Sequence, residues 1–505
     1  MGKFKAFQVL LTLTDTATDG RALGRHDGIV TFVEGGVPGD TAMVEIYKRE
    51  GKAYAARIAE IVTPSPDRTT PRCQHFGVCG GCKWQHLSYA QQLRFKQNQV
   101  LNTLRRIGKV DPETFMPIIG MDSPYYYRNK LEFTFSRWAW LTREQMQHPP
   151  EHQDSLGFHV PGVFDKVLDI STCYLQTPLI DDIRNELRRF ALAQDYPFYD
   201  IRQHTGFLRN VIFRTSVHTG ELMLILVVAR DNPEAVGQIF THLTGLFPAI
   251  SSCIWILNTK VNSMYSDLPV QVWRGPAYYT DRLGEYDFRV RPASFFQPNP
   301  RQATRLYEVV RHFLQQTLPA GVVRHQVIYD LYSGTGSIGI FVSDLAARII
   351  GIEYVDSAVA DAWENVRLNQ LPETQFEFLA GDMRHLLTPA LTARTGTPDV
   401  IIADPPRQGM DAPVVEQILH IRPRHIIYVS CKPATQARDI LLMKKWYEVL
   451  GARPVDMFPH TAHVENVVLM RLRETPLADE EVQRLQMSGT DSETVFPDSV
   501  TEAPD

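Results

Sequence analysis

Apolar and polar positions alternate over residues 1–64 in short runs broken by glycine and proline. A period of two is the mark of half-buried strands. It predicts strands over 9–13, 28–33, 41–47 and 53–61, with a Gly/Pro turn at 34–40, and Pro64 and Pro66 close the unit. Residues 65–290 change to a mixed pattern. Tyr89, Leu93, Val100, Leu101 and Leu104 fall near one helical face and predict a helix over 88–107. Strand-like runs follow at 130–135, 208–215 and 222–228, and the polar stretch 141–155, with Pro149 and Pro150, reads as a loop. From 291 to 473 apolar strands, at 326–332, 348–353, 376–379, 400–403 and 425–429, alternate with helical segments. Such strands suit a parallel sheet covered on both faces. The fold class expected is α/β, with an N-terminal β-unit (1–64) and a mixed α+β middle domain (65–290) ahead of a C-terminal parallel-sheet domain (291–473).

Composition adds little to this until charge is divided along the chain. The 505 residues are 44% hydrophobic and 22% charged, ordinary for a globular protein. The longest strongly apolar run, 222–229, is far short of the ~20 residues of a membrane helix. Lys3 and Lys5 precede an apolar patch that Gln8 and Thr12 interrupt, so no signal peptide is expected and the chain reads as cytoplasmic. Net charge is −5. Residues 474–505 hold nine acids and one base, −8 in all, which leaves +3 on residues 1–473. The tail reads as a disordered, solubilising extension, with competition against non-specific RNA contacts as the functional alternative. The body is mildly basic, and no obligate protein partner is inferred.

Candidate chemistry collects at the carboxyl ends of the C-terminal strands, where ligands bind in this architecture. Asp330-Leu331-Tyr332-Ser333-Gly334-Thr335-Gly336-Ser337-Ile338-Gly339 follows the first strand, and Glu353 ends the next. Glycines let such a loop turn tightly against a ligand, and the glutamate suits ribose hydroxyls. A nicotinamide dinucleotide and S-adenosylmethionine both fit the spacing. The Asp330 carboxylate favours the latter, whose ammonium group it attracts, over a pyrophosphate, which it repels. Asp404-Pro405-Pro406-Arg407 ends the fourth strand and Ser430-Cys431-Lys432-Pro433 the fifth. Cys431 is a candidate nucleophile; a buried structural cysteine is the bland alternative. Glu465 opens the last strand and reads equally as a proton acceptor or a surface glutamate.

Four further cysteines stand apart, as Cys73-x5-Cys79-x2-Cys82 and Cys173, with Gly77, Gly80 and Gly81 permitting a tight wrap. Four thiolates bind zinc or an iron–sulfur cluster, and spacing alone does not choose between them. Cys253 lies in an apolar context and reads as core.

The segments 330–339, 404–409, 429–433 and 463–465, in this order, resemble the RNA uracil-5-methyltransferase family, as does Ser294-Phe295-Phe296-Gln297. The resemblance spans nearly all of residues 1–473. It implies a Rossmann-like class I methyltransferase domain that binds S-adenosylmethionine through Gln297, Tyr332, Ser337, Glu353, Asp382 and Asp404. It further implies a nucleophile at Cys431 and a general base at Glu465. The first β-unit resembles the RNA-binding TRAM barrel of many members. A [4Fe–4S] cluster on Cys73, Cys79, Cys82 and Cys173 is implied in the same way. The combination resembles the ribosomal-RNA branch, so 23S rRNA is the expected substrate and tRNA the alternative. An iron–sulfur nicotinamide oxidoreductase and a non-catalytic RNA-binding protein are the rivals from other classes. Lys432 departs from the asparagine frequent in the family, and the loop 141–155 has no counterpart.

Overall fold

The computed structural model describes residues 4–150 and 152–487. The N-terminal strands form one six-stranded sheet, in the order Phe7–Thr12, Thr41–Glu50, Ala53–Thr63, Ile29–Glu34, Ala22–His26, Asp15–Thr16. Neighbours are antiparallel except Ile29–Glu34 and Ala53–Thr63, which run parallel. Leu11, Leu13, Val33, Val44 and Ile46 fill its small core. The Gly/Pro turn is tied by Asp40, whose carboxylate accepts the Val37 and Ser65 N–H groups and pairs with Arg68 at 2.6 Å.

The middle sheet has seven strands, Val167–Asp169, Ser155–His159, Lys130–Ser136, Leu208–Thr215, Leu222–Val228, Ile250–Leu257 and Val270–Arg274, in that spatial order. Every residue of Leu222–Val228 is buried, as a continuous apolar run demands. The helices Pro178–Ala193 and Pro233–Leu246 supply its core with Ile183, Leu187, Ile239 and Phe240. Within the expected loop 141–155, Arg143–Gln147 forms a short helix. Gln145 N–H donates to Thr142 Oγ1, and Gln145 Oε1 accepts the Thr142 N–H in return, a reciprocal cap that starts a helix the two prolines then stop.

The C-terminal sheet has eight strands: Phe376–Ala380, Ala346–Glu353, His325–Leu331, Val400–Ala403, His425–Ser430, Glu465–Leu472, Tyr447–Val455 and Thr114–Phe115. The first five are mutually parallel, and Glu465–Leu472 enters antiparallel beside His425–Ser430. Apolar cores cover both faces. Helix Pro300–Gln316, capped by Asn299, buries Leu306, Val310 and Phe313 on one of them.

Two segments expected in the middle domain belong to this body instead. Thr114–Phe115 extends its sheet, and the hairpin Tyr279–Leu283/Tyr286–Val290 packs on helices Pro300–Gln316 and Asp356–Leu368. Helix Tyr89–Arg106 also packs here, against helix Pro433–Met443. Its buried face is Gln92, Lys96, Val100 and Leu104, spaced by four, while Leu93 and Leu101 are only half-buried. Periodicity of apolar residues misplaced that face because two of its members are polar and buried with partners.

The tail also departs from expectation. Asp479–Met487 is a helix with Asp479, Glu480 and Glu481 in its first turn, where carboxylates complement the helix dipole. Leu477 N–H donates to the Lys445 carbonyl, and Asp479 pairs with Lys445 at 2.5 Å. The rest of the acidic tail, 488–505, lies outside the described residues. Among those described, no helix is long and apolar enough to cross a membrane.

Candidate active site and cysteine cavity

Strand ends set the site. Leu331, Ile352 and Leu379 pair across one row, and Leu331, Ala403 and Tyr428 across its continuation. The next residue of each strand or turn, Tyr332, Glu353 and Asp404, therefore lies at one end of the sheet, with Glu353 still paired to Ala380. Tyr332 turns the chain with φ +62, followed by Gly334 at +53 and Gly336 at +76. A Cβ on Gly336 would come within 3.1 Å of Ala362 and Phe378, so this position requires glycine. Asp330 is buried behind the loop, where its Oδ2 accepts the Gly339 N–H at 3.0 Å. That bond braces the loop, while Asp330 Oδ1 is buried without a hydrogen-bond partner. Burial, with Asp404 and Glu353 nearby, raises its pKa to about 7.

Glu353 Oε2 accepts the Gly334 N–H and Oε1 the Val355 N–H, both at 2.9 Å, which fixes the carboxylate at the lip of the loop. Ser337 Oγ lies 2.9 Å from the buried Tyr307 hydroxyl. Gln297 is buried, and its carbonyl accepts Asn129 Nδ2 at 3.1 Å. Asp382 is near enough to Tyr332 for its charge to add to burial in raising the tyrosine's pKa. It caps helix Met383–Leu386 and pairs with Arg384 at 2.5 Å, which lowers its pKa to about 2.

Cys431, Glu465 and Asp404 come together. Ser430 and Asn466 are the last pair of their antiparallel ladder, so Cys431 and Glu465 flank its end. Gln436 locks the two strands: its Nε2 donates to the Tyr428 and Asn466 carbonyls, and Asn466 Nδ2 donates to its Oε1 at 2.8 Å. Thr435 Oγ1 donates to the Arg407 carbonyl at 3.1 Å and binds the Asp404 turn to the same helix start. Glu465 is buried. Burial, aided by Asp404, lifts its carboxyl to about 8, and Arg407 opposes this. Burial pushes the Cys431 thiol up to about 12, with Glu465 and Asp404 adding and Arg407 again opposing. Burial raises Asp404 to about 7. Three acidic groups thus lie together with Arg407 as the opposing cation, a setting in which the further positive charge of a ligand is welcome.

These residues match a known family model. Residues 280–473 match the tRNA (uracil-5-)methyltransferase model. A protein of Porphyromonas gingivalis named an uncharacterized RNA methyltransferase is 45% identical over 91% of this chain and 99% of its own length. One of the same name from Bacteroides thetaiotaomicron is also 45% identical, over 90% and 100%. The chain belongs to the RNA uracil-5-methyltransferase family. Among solved structures, the tRNA (uracil-54, C5)-methyltransferase of Pyrococcus abyssi, bound to S-adenosyl-L-homocysteine, superposes with a TM-score of 0.70. It is 26% identical and covers 92% of this chain and all of its own. As a family member the protein is an RNA methyltransferase that uses S-adenosylmethionine, and the oxidoreductase and non-catalytic rivals fall. The family model begins at residue 280, beside the hairpin that packs on the C-terminal body, ahead of the expected boundary at 291.

Three groups of this site were not singled out from sequence. Arg407 is the cation that opposes the raised pKa of Cys431 and Glu465; its place after Asp404-Pro405-Pro406 was the available signal. Gln436 and Asn466 carry no motif, and only folding reveals that they meet.

Cys73, Cys79, Cys82 and Cys173 line one cavity with Phe76, Phe158, Ile170 and Leu175. All four are free thiols. Burial pushes Cys79 up to about 11 and Cys173 to about 12, each further raised by neighbouring cysteines. Cys73 N–H donates to Gln85 Oε1 at 3.0 Å, and Cys173 N–H to both oxygens of Asp181. Among the described residues no three His, Cys, Asp or Glu side chains converge as a single-ion site. Cys253 is buried in the middle core, as expected.

Proposed function

We infer that the protein methylates C5 of uridine in RNA through a covalent cysteine adduct. The observation that carries this reading is the register that sets Cys431 beside Glu465 at the strand edge facing the Asp404 turn. C5 of uracil is a poor nucleophile. The Cys431 thiolate adds to C6, and the displaced electron pair makes C5 enolate-like. C5 takes the methyl group from the sulfonium, whose carbon–sulfur bond breaks to leave S-adenosylhomocysteine. Glu465 accepts the C5 proton, the C5=C6 bond reforms, and the thiolate departs. A sulfonium near Asp404 and the Arg407 guanidinium both favour the charged forms this sequence needs. The loop from Tyr332 to Ser337, with Glu353, Gln297, Asp382 and Asp404, is the proposed cofactor cradle.

The N-terminal sheet is the proposed TRAM-like RNA-binding unit. The target base must leave its stack, at about a few kcal/mol, to reach the buried pair. Large-subunit 23S rRNA is the first substrate proposed, on the combination of this unit with the cysteine set. The full-length similarity to the Pyrococcus abyssi enzyme, whose description names tRNA uracil-54, favours tRNA as the second. Mapping 5-methyluridine in rRNA and tRNA from cells lacking the protein tests both. Loss of no 5-methyluridine from either RNA overturns the function.

The four thiols border one apolar-walled cavity, and that shared lining supports reading them as one ligand set. Cys73, Cys79, Cys82 and Cys173 are the proposed ligands of a [4Fe–4S] cluster. The group would supply cross-linking and rigidity, and the methyl-transfer steps above proceed on other residues.

A further inference from the structure

Gln92 and Lys96 are the two polar members of the buried face of helix Tyr89–Arg106. Apolar side chains would pack there without needing partners. Both instead turn their polar ends to one loop, 456–463, which runs directly into Glu465. Lys96 Nζ donates to Asp456 Oδ1 at 2.6 Å and to the Phe458 carbonyl at 2.9 Å, and both charged side chains are fully buried. The Tyr89 hydroxyl donates to Asp456 Oδ2 at 2.8 Å. Gln92 Oε1 accepts the His460 N–H at 2.8 Å, and its Nε2 lies 3.2 Å from His460 Nδ1. The same Nε2 donates to the Trp84 carbonyl at 3.0 Å.

The segment carrying the cysteines grips this loop as well. The His460 carbonyl accepts the N–H groups of Lys83 at 2.7 Å and Trp84 at 3.0 Å, the two residues that follow Cys82. Ala462 packs with Val37, Trp84 and Leu87. His460 itself sits at φ +63, a left-handed conformation that a non-glycine residue keeps only when its surroundings impose it. A connection of this length between two strands has no single conformation of its own. Asn299 and Gln302 hold its first carbonyls, at Met457 and Asp456, while Gln92 and the Lys83–Trp84 backbone hold its His460 end.

We propose that Gln92, with the Lys83–Trp84 backbone, positions the general base, so that the cysteine-bearing segment acts on proton removal from C5. This rests on the reading of Glu465 as that base. The affected step is the last one: Glu465 takes the C5 proton, the C5–H electron pair becomes the C5=C6 bond, and the C6–Sγ bond breaks to return the Cys431 thiolate. Earlier steps form the C6–Sγ bond and transfer the methyl group without Glu465, and they do not depend on the loop.

The test uses the full-length protein, labelled methyl donor and two versions of one RNA, the transcript found by 5-methyluridine mapping. One carries uridine at the target and the other 5-fluorouridine, whose C5–F bond no base can cleave. Wild type should turn over the first and be trapped on the second. Gln92→Ala should be trapped on the fluorinated RNA at a rate within about twofold of wild type. On ordinary RNA its turnover should fall about tenfold or more, the scale of a misplaced catalytic group, with methylated adduct accumulating. Tyr89→Phe, which keeps the ring and removes the bond to Asp456 and the one from the Met121 N–H, should show the same pattern more weakly. Wild-type turnover in both variants overturns the proposal. So does loss of trapping in step with turnover in Tyr89→Phe, because the loop then serves folding or RNA binding. If wild type itself is neither trapped nor active, the proposed function fails instead.

Discussion

The antiparallel ladder of His425–Ser430 and Glu465–Leu472 ends at Ser430 and Asn466, and one further step in the same register sets Cys431 across from Glu465. A nucleophile and a base for adjacent carbons of one substrate ring are thus brought together by strand pairing, with 33 residues of chain between them. Their closeness has an electrostatic cost, since the Glu465 carboxylate makes the Cys431 thiol harder to ionise.

Cys431→Ala should abolish methyl transfer and all covalent attachment to RNA. Glu465→Gln should still add and methylate, then stall, so that a methylated RNA–protein adduct survives denaturation. A denaturing gel with labelled RNA and labelled methyl donor separates the two. Turnover of Glu465→Gln at the wild-type rate would remove Glu465 from the mechanism.

The raised Glu465 carboxyl makes a prediction in pH. The folded protein holds that proton up to about 8, whereas the unfolded chain loses it in the ordinary glutamate range. Between those values the folded state binds more protons, so stability falls as pH rises. Glu465→Gln should therefore melt higher than ligand-free wild type at pH 8, and the gain should vanish near pH 4. Adduct release in wild type should speed up as pH rises toward about 8. Arg407→Gln should move that rise to higher pH, since Arg407 opposes the upward shift. Melting curves and single-turnover rates across pH check both.

Protein purified without oxygen should be brown, with about four iron and four sulfide per chain. Cys173→Ser should lower the iron content, because Cys173 lines the same cavity as Cys73, Cys79 and Cys82. Metal analysis showing stoichiometric zinc without iron overturns the assignment.

Deleting residues 488–505 should leave the melting temperature unchanged. Deleting 474–505 removes helix Asp479–Met487 and its pairing with Lys445. That pair is solvent-exposed on its Asp479 side, so the added loss should be at most about 1 kcal/mol. A larger drop would show that the helix packs as part of the body.

Much of the C-terminal domain was legible because its signals are local. Val400–Ala403 falls where its continuous apolar run placed it, as does Leu222–Val228 in the middle sheet, since a strand buried on both faces is apolar throughout. The glycine loop after His325–Leu331 was legible because positive φ restricts residue type. Candidate residues could be named one at a time, Cys431 by its strand end and Glu465 only as one of two readings. Their meeting could not be read, because register between strands distant in sequence leaves no local trace. The same reason hid the true buried face of helix Tyr89–Arg106. Gln92 and Lys96 look solvent-facing until folding brings His460 and Asp456 to them, more than 350 residues away along the chain. Sequence alone fixed which residue types stood ready for the chemistry. Tertiary structure alone decided which of them share a pocket, because a polar side chain is buried only where a distant partner replaces the water it gives up.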